Sequence, residues 1–297
     1  MTSVAIIGAG AIGTVLAAAV HRTGADTVLC TRTPVGELVL ADDDGEHAVD
    51  VPVRTDPATA APVDWVLLTT KGQDVAGAAP WLSRLRAPET TVVALQNGVE
   101  HRERVTPLAG SARVLPALVY IAAERIAAGR VRHRRGRRIV VPENADASAF
   151  AALLAGSGLE VHREPDFTTA AWRKLLGNVA ANPITALTLR RLEVLRDGEI
   201  GELTRTLLTE AIAVGAACGA RLDAADLRRT LDFYREFAAD DGTSMLYDRL
   251  AGRPPETDLI NGAIVRFGRE HGVPTPANQA VHALLAALQP ERADLAS

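Results

Sequence analysis

The stretch VAIIGAGAIGTVLAAAV, residues 4–20, constrains this chain more than any other. Its first four residues are a β-branched-rich run suited to a buried strand. Gly8, Gly10 and Gly13 follow with the G-x-G-x-x-G spacing, and an Ala-rich helical pattern starts without a break. Each glycine answers a separate demand. Gly8 permits the tight turn, Gly10 lets a pyrophosphate approach the backbone, and Gly13 lets helix and strand pack closely. The free N–H groups at the helix start, around Ala11 and Ile12, would face those phosphates with the positive end of the helix dipole. Spaced glycines alone also occur in ordinary Gly-rich turns. Here the strand before and the helix after supply the context that the motif requires.

A length of 297 residues fits about two domains of ~150 residues each. Hydrophobic residues make up 47% of the chain, enough for a substantial core. The formal net charge of −4 gives no global attraction to nucleic acid or to an anionic membrane. Cys30 and Cys218 are too few for a disulfide framework or a zinc cage, so a reducing cytoplasm is expected. The apolar start lacks the basic n-region of a signal peptide and carries three glycines, which argues against a membrane span. The seven histidines show no metal-ligand spacing, and no G-x-S-x-G motif is present.

In the first half, TVLCT (residues 27–31) reads as the second strand. A carboxylate near its end would bind the ribose 2′-hydroxyl of NAD. Arg32 stands there instead, and a guanidinium favours the 2′-phosphate of NADP; the alternative is a solvated surface arginine. DWVLLTT (residues 64–70) reads as a central parallel strand, with Lys71 at its C-terminal end, where ligands of open α/β sheets bind. A snorkelling edge lysine is the other reading of Lys71. Residues 91–95 repeat the design and lead to Gln96-Asn97-Gly98. By itself, this Asn-Gly reads as a turn. Residues 113–123 and 130–141 look like further strands. RVRHRRGRR (residues 130–138) lacks interleaved aromatics, so a solvated edge hairpin with a turn at Gly136 is preferred over nucleic-acid binding.

Residues 160–162 form the last strand-like run, and several helical patterns follow. The expected fold is α/β: an N-terminal Rossmann-type doubly wound sheet over residues 1–165, then an all-α domain over residues 166–297. In AAWRKLLGNVAANPITAL, Lys174, Asn178 and Asn182 lie four apart and would share one helix face. Pro183 can kink that helix by removing the bond to the Val179 carbonyl. In PETDLINGAIVRFGREH, read as one helix, Glu256 projects onto the apolar face with Leu259, Ile260, Ala263, Ile264 and Phe267. A buried carboxylate needs a partner, and Lys174 is the natural one; a wet Glu at a helix N-terminus is the alternative. Ser244 reads as a helix cap. Residues 200–218, 227–237 and 279–288 read as scaffold helices.

The set GAGAIG, Arg32, TTK ending at Lys71, QNG, WRKLLGNVAANP, GTSM and ETDLING resembles the ketopantoate reductase (2-dehydropantoate 2-reductase) family. It covers nearly the whole chain in order, and the W-R-K-L…N…N-P and E-x-D-x-I-N-G blocks are far more specific than the glycines. The resemblance implies an oxidoreductase of pantothenate biosynthesis that reduces a 2-keto acid, ketopantoate, with NADPH held at the domain cleft. It implies Lys174 as catalytic acid and Glu256 as its cofactor-side partner. Asn97, Asn178, Asn182 and Ser244 would hold substrate, while Arg32 and Lys71 would serve NADP, with Asn97 also near the cofactor. An unperturbed lysine, with a pKa of about 10.4, is protonated at neutral pH and is expected to act without tuning. Where family members often carry an N-G-E-L-like turn, this chain has Arg190-Arg191-Leu192-Glu193-Val194-Leu195, a departure that bears on the identity of the keto acid. Another NADP-linked 2-keto-acid or opine-type dehydrogenase and a non-catalytic NADP(H)-sensing module are the alternatives. A homodimer is left open.

Overall fold

A computed structural model describes residues 1–238 and 241–288 of the chain. It divides into two compact units, the first spanning Met1–Phe167 and the second starting at Thr168. In the first unit, β1 (Ser3–Ile7) leads through the glycine turn into α1 (Ala11–Arg22), followed by β2 (Asp26–Cys30). Next come β3 (Val39–Asp42), β4 (Gly45–Ala48), β5 (Val53–Arg54) and β6 (Trp65–Leu68). The chain continues with α2 (Ala79–Leu85), β7 (Thr91–Ala94), α3 (His101–Ala109) and β8 (Arg113–Pro116). It closes with β9 (Leu118–Ala127), β10 (Arg130–Pro142), α4 (Ala145–Leu153) and β11 (Glu160–Glu164).

Six strands make a parallel sheet in the order β5-β2-β1-β6-β7-β8. This is the doubly wound order, whose strand direction of growth reverses between β1 and β6, and ligands of such sheets bind beyond the strand C-termini at that crevice. Its central strands are apolar on both faces because helices or a second sheet cover both sides: Val4, Ala5, Ile6, Val66, Leu67, Leu68, Val92 and Val93 are all fully buried.

A second sheet, absent from the sequence reading, runs β11-β10-β3-β4, with β9 paired to β10. Helix α1 packs against β1 and β2 of the first sheet and against β3, β9 and β10 of the second. Val15, Leu16, Ala17 and Val20 thereby join one core with Leu40, Val131, Ile139, Val141 and Phe150. The small β3–β4 hairpin turns through Asp43 and Asp44, with Gly45 at φ +124°. Its D-G pair was the available signal. Two expectations are corrected here. The basic segment is exposed and is an edge only in part: β9 pairs along it, β3 adds a second partner at residues 130–132 and β11 at Arg138, while residues 133–137 have β9 alone. Gly136 (φ +78°) is a bulge rather than a turn, and the register of β9 and β10 shifts on either side of Arg135. The turn falls at Ala128 and Gly129.

The second unit is helical: α5 (Phe167–Val179), α6 (Ala181–Thr188), α7 (Gly198–Ala217), α8 (Ala224–Glu236), α9 (Ser244–Leu250), α10 (Asn261–Glu270) and α11 (Pro276–Ala287). Helix α8 starts on a capping box in which Asp223 and Asp226 exchange side-chain and backbone bonds. Helix α9 is capped by Thr243, whose Oγ1 accepts from Leu246 N–H at 3.1 Å. Ser244, expected to be the cap, is instead the exposed first residue of α9. The register differs by one because Thr243 Oγ1 also bonds Thr185 Oγ1 at 2.7 Å, which fixes α9 against α6. No helix among the described residues is long and apolar enough to cross a membrane.

Candidate active site

In the first unit the three glycines differ as their chemistry demands. Gly8 adopts φ +112°, a region that side chains resist. A Cβ on Gly13 would lie 1.8 Å from the Gly8 carbonyl oxygen, so helix and strand meet there without room for any side chain. A Cβ on Gly10 would meet no protein atom within 4 Å. Gly10 is also the N-cap of α1, whose first turn contains no acidic residue. The backbone N–H groups of Ala11 and Ile12 therefore border an open, positively polarised approach that suits a pyrophosphate.

Around this turn the strand ends carry the other first-unit candidates. Arg32 lies two residues beyond β2, exposed, with its guanidinium 3.5 Å from Asp74. Such a loose pair on the surface holds little energy and can yield to a phosphate. Lys71 follows β6 and Asn97 follows β7, both half-buried at the C-terminal edge of the sheet. The buried Gln96 ties these edges together: its Nε2 donates to the Thr70 carbonyl at 3.0 Å and lies 3.1 Å from Thr70 Oγ1. His101 Nε2 in turn donates to the Gln96 carbonyl at 2.9 Å. Gln96 and His101 received no role from sequence, although the Q-N-G block contains the first of them.

The second unit gathers the remaining candidates. Lys174 and Asn178 lie four apart on α5, as their spacing requires, and both are half-buried. Asn182 is buried and belongs to α6, beyond a break at Ala180, so the three do not share one continuous helix face. The break has two visible causes. Pro183 offers no N–H to the Val179 carbonyl. The Tyr234 hydroxyl intrudes on the same turn, donating to the Leu176 carbonyl at 2.9 Å while the backbone N–H groups of Ala180 and Ala181 face its oxygen. Burial holds that phenol far above its usual pKa, so it stays a neutral donor.

Glu256 is only 5% exposed, which disposes of the wet-terminus alternative. It reaches that position by a route the sequence reading did not foresee. The helix α10 begins at Asn261, and Glu256 lies in the irregular segment before it. The Thr257 carbonyl, accepting from the Gly262 N–H at 3.0 Å, shapes that entry. Desolvation drives Lys174 down from its ordinary value to about 8, and the Glu256 carboxylate opposes the fall. The expectation of an untuned lysine is thus corrected: burial brings this ammonium close to neutral pH.

A doubly wound sheet with an open glycine turn, joined in one chain to a helical unit that carries a tuned lysine, belongs to the Rossmann-type oxidoreductases. Residues 4–146 match the family described as ketopantoate reductase PanE/ApbA, and residues 166–289 match its C-terminal region. A 2-dehydropantoate 2-reductase of Mycobacterium tuberculosis is 43% identical over 288 residues, covering 96% of this chain and 97% of the relative. A protein of the same name from Caulobacter vibrioides is 43% identical over 291 residues, covering 96% and 98%. The solved PanE/ApbA family ketopantoate reductase of Ralstonia eutropha superposes with a TM-score of 0.89 at 30% identity, covering 97% and 98%. A dimeric ketopantoate reductase of Staphylococcus aureus gives 0.87 at 29%, also covering 97% and 98%. The chain belongs to the ketopantoate reductase family.

Proposed function

We propose that this protein reduces 2-dehydropantoate to (R)-pantoate in the cytoplasm, with NADPH as the reductant. The observation that carries the reading is the lysine of α5 with a buried carboxylate to oppose its desolvation. The curated relatives that share 43% identity along nearly the whole chain are named for this reaction. The residues present fit a dinucleotide phosphate. Gly10 leaves the α1 N-terminus open, and Arg32 takes the place where a carboxylate would repel a 2′-phosphate.

A nicotinamide nucleotide held at the glycine turn, with Arg32 and Lys71, would supply the hydride that the substrate carbonyl carbon needs. Lys174 donates the proton that the carbonyl oxygen requires, and its positive charge stabilises the alkoxide as it develops. Glu256 keeps that ammonium charged and in place despite its burial. Asn178, Asn182 and Asn97 offer amide groups to the keto acid. Ser244, exposed at the start of α9, offers a hydroxyl. Lys71 and Arg32 serve the cofactor phosphates. The homodimer is the assembly we adopt, because the similar S. aureus enzyme is described as dimeric.

The test is loss of NADPH absorbance on addition of 2-dehydropantoate, beside a panel of other 2-keto acids. Consumption with 2-dehydropantoate preferred is expected; none with this substrate would overturn the reading. The panel matters because the segment Arg190–Leu195 departs from the family turn. Here Arg190 is tied to Asp197 at 2.7 Å and lies 3.4 Å from Glu193, replacing an Asn-Gly turn with an ion-paired one.

A further inference from the structure

The carbonyl that Pro183 leaves without an intrahelical donor is not left bare. Val179 is fully buried, and its oxygen accepts from Asn261 Nδ2 at 2.9 Å. Asn261 is the first residue of α10 and is itself fully buried. The other hydrogen of the same amide goes to Asn278 Oδ1 at 2.9 Å. Asn278, in α11, donates to the Leu207 carbonyl at 3.2 Å and to Glu210 Oε2 at 2.8 Å. The Glu210 carboxylate on α7 also accepts the backbone N–H groups of Ala277 and Asn278, both at 2.9 Å. A buried polar chain therefore runs from the α5–α6 break through α10 into α11 and α7.

The orientation of the Asn261 amide follows from this chain. Both of its neighbours are oxygens that need donors, so Nδ2 must face them. The amide oxygen is consequently left buried without a protein partner. A residue chosen only for packing would avoid that cost. What Asn261 offers in exchange is a fixed distance between the start of α10 and the last carbonyl of α5. Lys174 and Asn178 lie before that carbonyl, and Asn182 lies after it.

We propose that Asn261 is a positioning residue: by holding the carbonyl that Pro183 frees, it sets the angle between α5 and α6 at which the Lys174 ammonium and the Asn182 amide address one keto acid. This inference rests on the functional reading above. A shift of about 1 Å in such a pair can cost on the order of a hundredfold in rate. Asn261→Ala is therefore expected to raise the KM for 2-dehydropantoate by tenfold or more and to lower kcat, with NADPH affinity changed less than twofold. A merely structural role would lower the active fraction, and so kcat alone, with KM unmoved.

The double variant Asn261→Ala with Pro183→Ala separates the two roles further. The new N–H at position 183 can satisfy the Val179 carbonyl from within the chain, so that α10 no longer sets the angle between α5 and α6 while Tyr234 keeps its place in the turn. The thermal midpoint should then recover while the KM stays raised. Should Asn261→Ala alone not fold, the double variant carries the test. A keto-acid KM within twofold of wild type in either variant would overturn the proposal. If the wild type itself fails to turn over 2-dehydropantoate, the functional reading falls instead. The bracing is then read by amide hydrogen exchange over residues 180–186, which Asn261→Ala should accelerate at least tenfold. Unchanged exchange there would overturn it.

Discussion

The buried Glu256 carboxylate opposes the desolvation that lowers the pKa of the Lys174 ammonium to about 8. The two side chains come from distant parts of the sequence, one from α5 and one from the irregular segment ahead of α10. With Lys174 as the proposed proton donor, kcat/KM for the keto acid should be flat at neutral pH and fall as pH rises through about 8. In Glu256→Gln the opposing charge is gone and the lysine loses its proton more readily. The alkaline limb of the pH profile should then move to lower pH. A limb that stays in place would remove Glu256 from this role.

Lys174→Ala should lower kcat by a hundredfold or more, the usual weight of a positioned general acid. NADPH affinity, read by fluorescence titration, should stay within a few-fold of wild type. Near-normal turnover would rule the assignment out.

Gly10 and Gly13 should fail in different ways. Gly10→Ala adds a methyl group where no protein atom stands, so the thermal midpoint should hold while NADPH affinity drops tenfold or more. Gly13→Ala forces a carbon onto the Gly8 carbonyl and should cost about 3 kcal/mol of stability or more. Denaturant titration beside NADPH binding distinguishes the two outcomes.

Arg32→Ala should narrow the preference for NADPH over NADH by about tenfold, the worth of one charge-assisted contact. Its effect on stability should be small, since its pair with Asp74 is an exposed one. Asp74→Asn frees the guanidinium and removes a negative charge beside it, so NADPH should bind more tightly. The ratio of kcat/KM for the two cofactors measures both changes.

Leu189, which ends α6, is the non-glycine residue with positive φ (+55°) among the described residues, and it is 50% exposed. A leucine pays about 1 kcal/mol or more for that left-handed conformation and gains little packing in return. Leu189→Gly should raise the thermal midpoint by about 2–4 °C. An unchanged or lower midpoint would mean that the exposed side chain packs usefully after all.

Much of this architecture could be read before any coordinates, because it is written locally. The glycine turn, the apolar strands of the parallel sheet and the helical second half each announce themselves within some twenty residues. Lys174 and Asn178 are neighbours by helical spacing alone. What stayed hidden depends on distant pairing. Strand β10 reads as an edge, and over residues 133–137 it is one; its pairing with β3 at residues 130–132 joins segments some ninety residues apart, which no local pattern announces. Glu256 was placed on the right side of its segment for the wrong reason, since its burial comes from an irregular approach to α10 and not from a helix face. Pro183 signalled the break, but no local rule could tell that Tyr234 and Asn261 would fill the gap it opens.

The placement of α1 between two sheets has a consequence for how the cofactor half can vary. A helix clasped on both faces cannot tilt or slide to suit a new nucleotide, and its run of alanines leaves no slack for larger side chains. The proposed socket for the diphosphate is thus packed from both sides before anything enters it. Any change in cofactor taste must be made at the rim, through residues such as Arg32 and Asp74, while the clasped helix tolerates almost nothing.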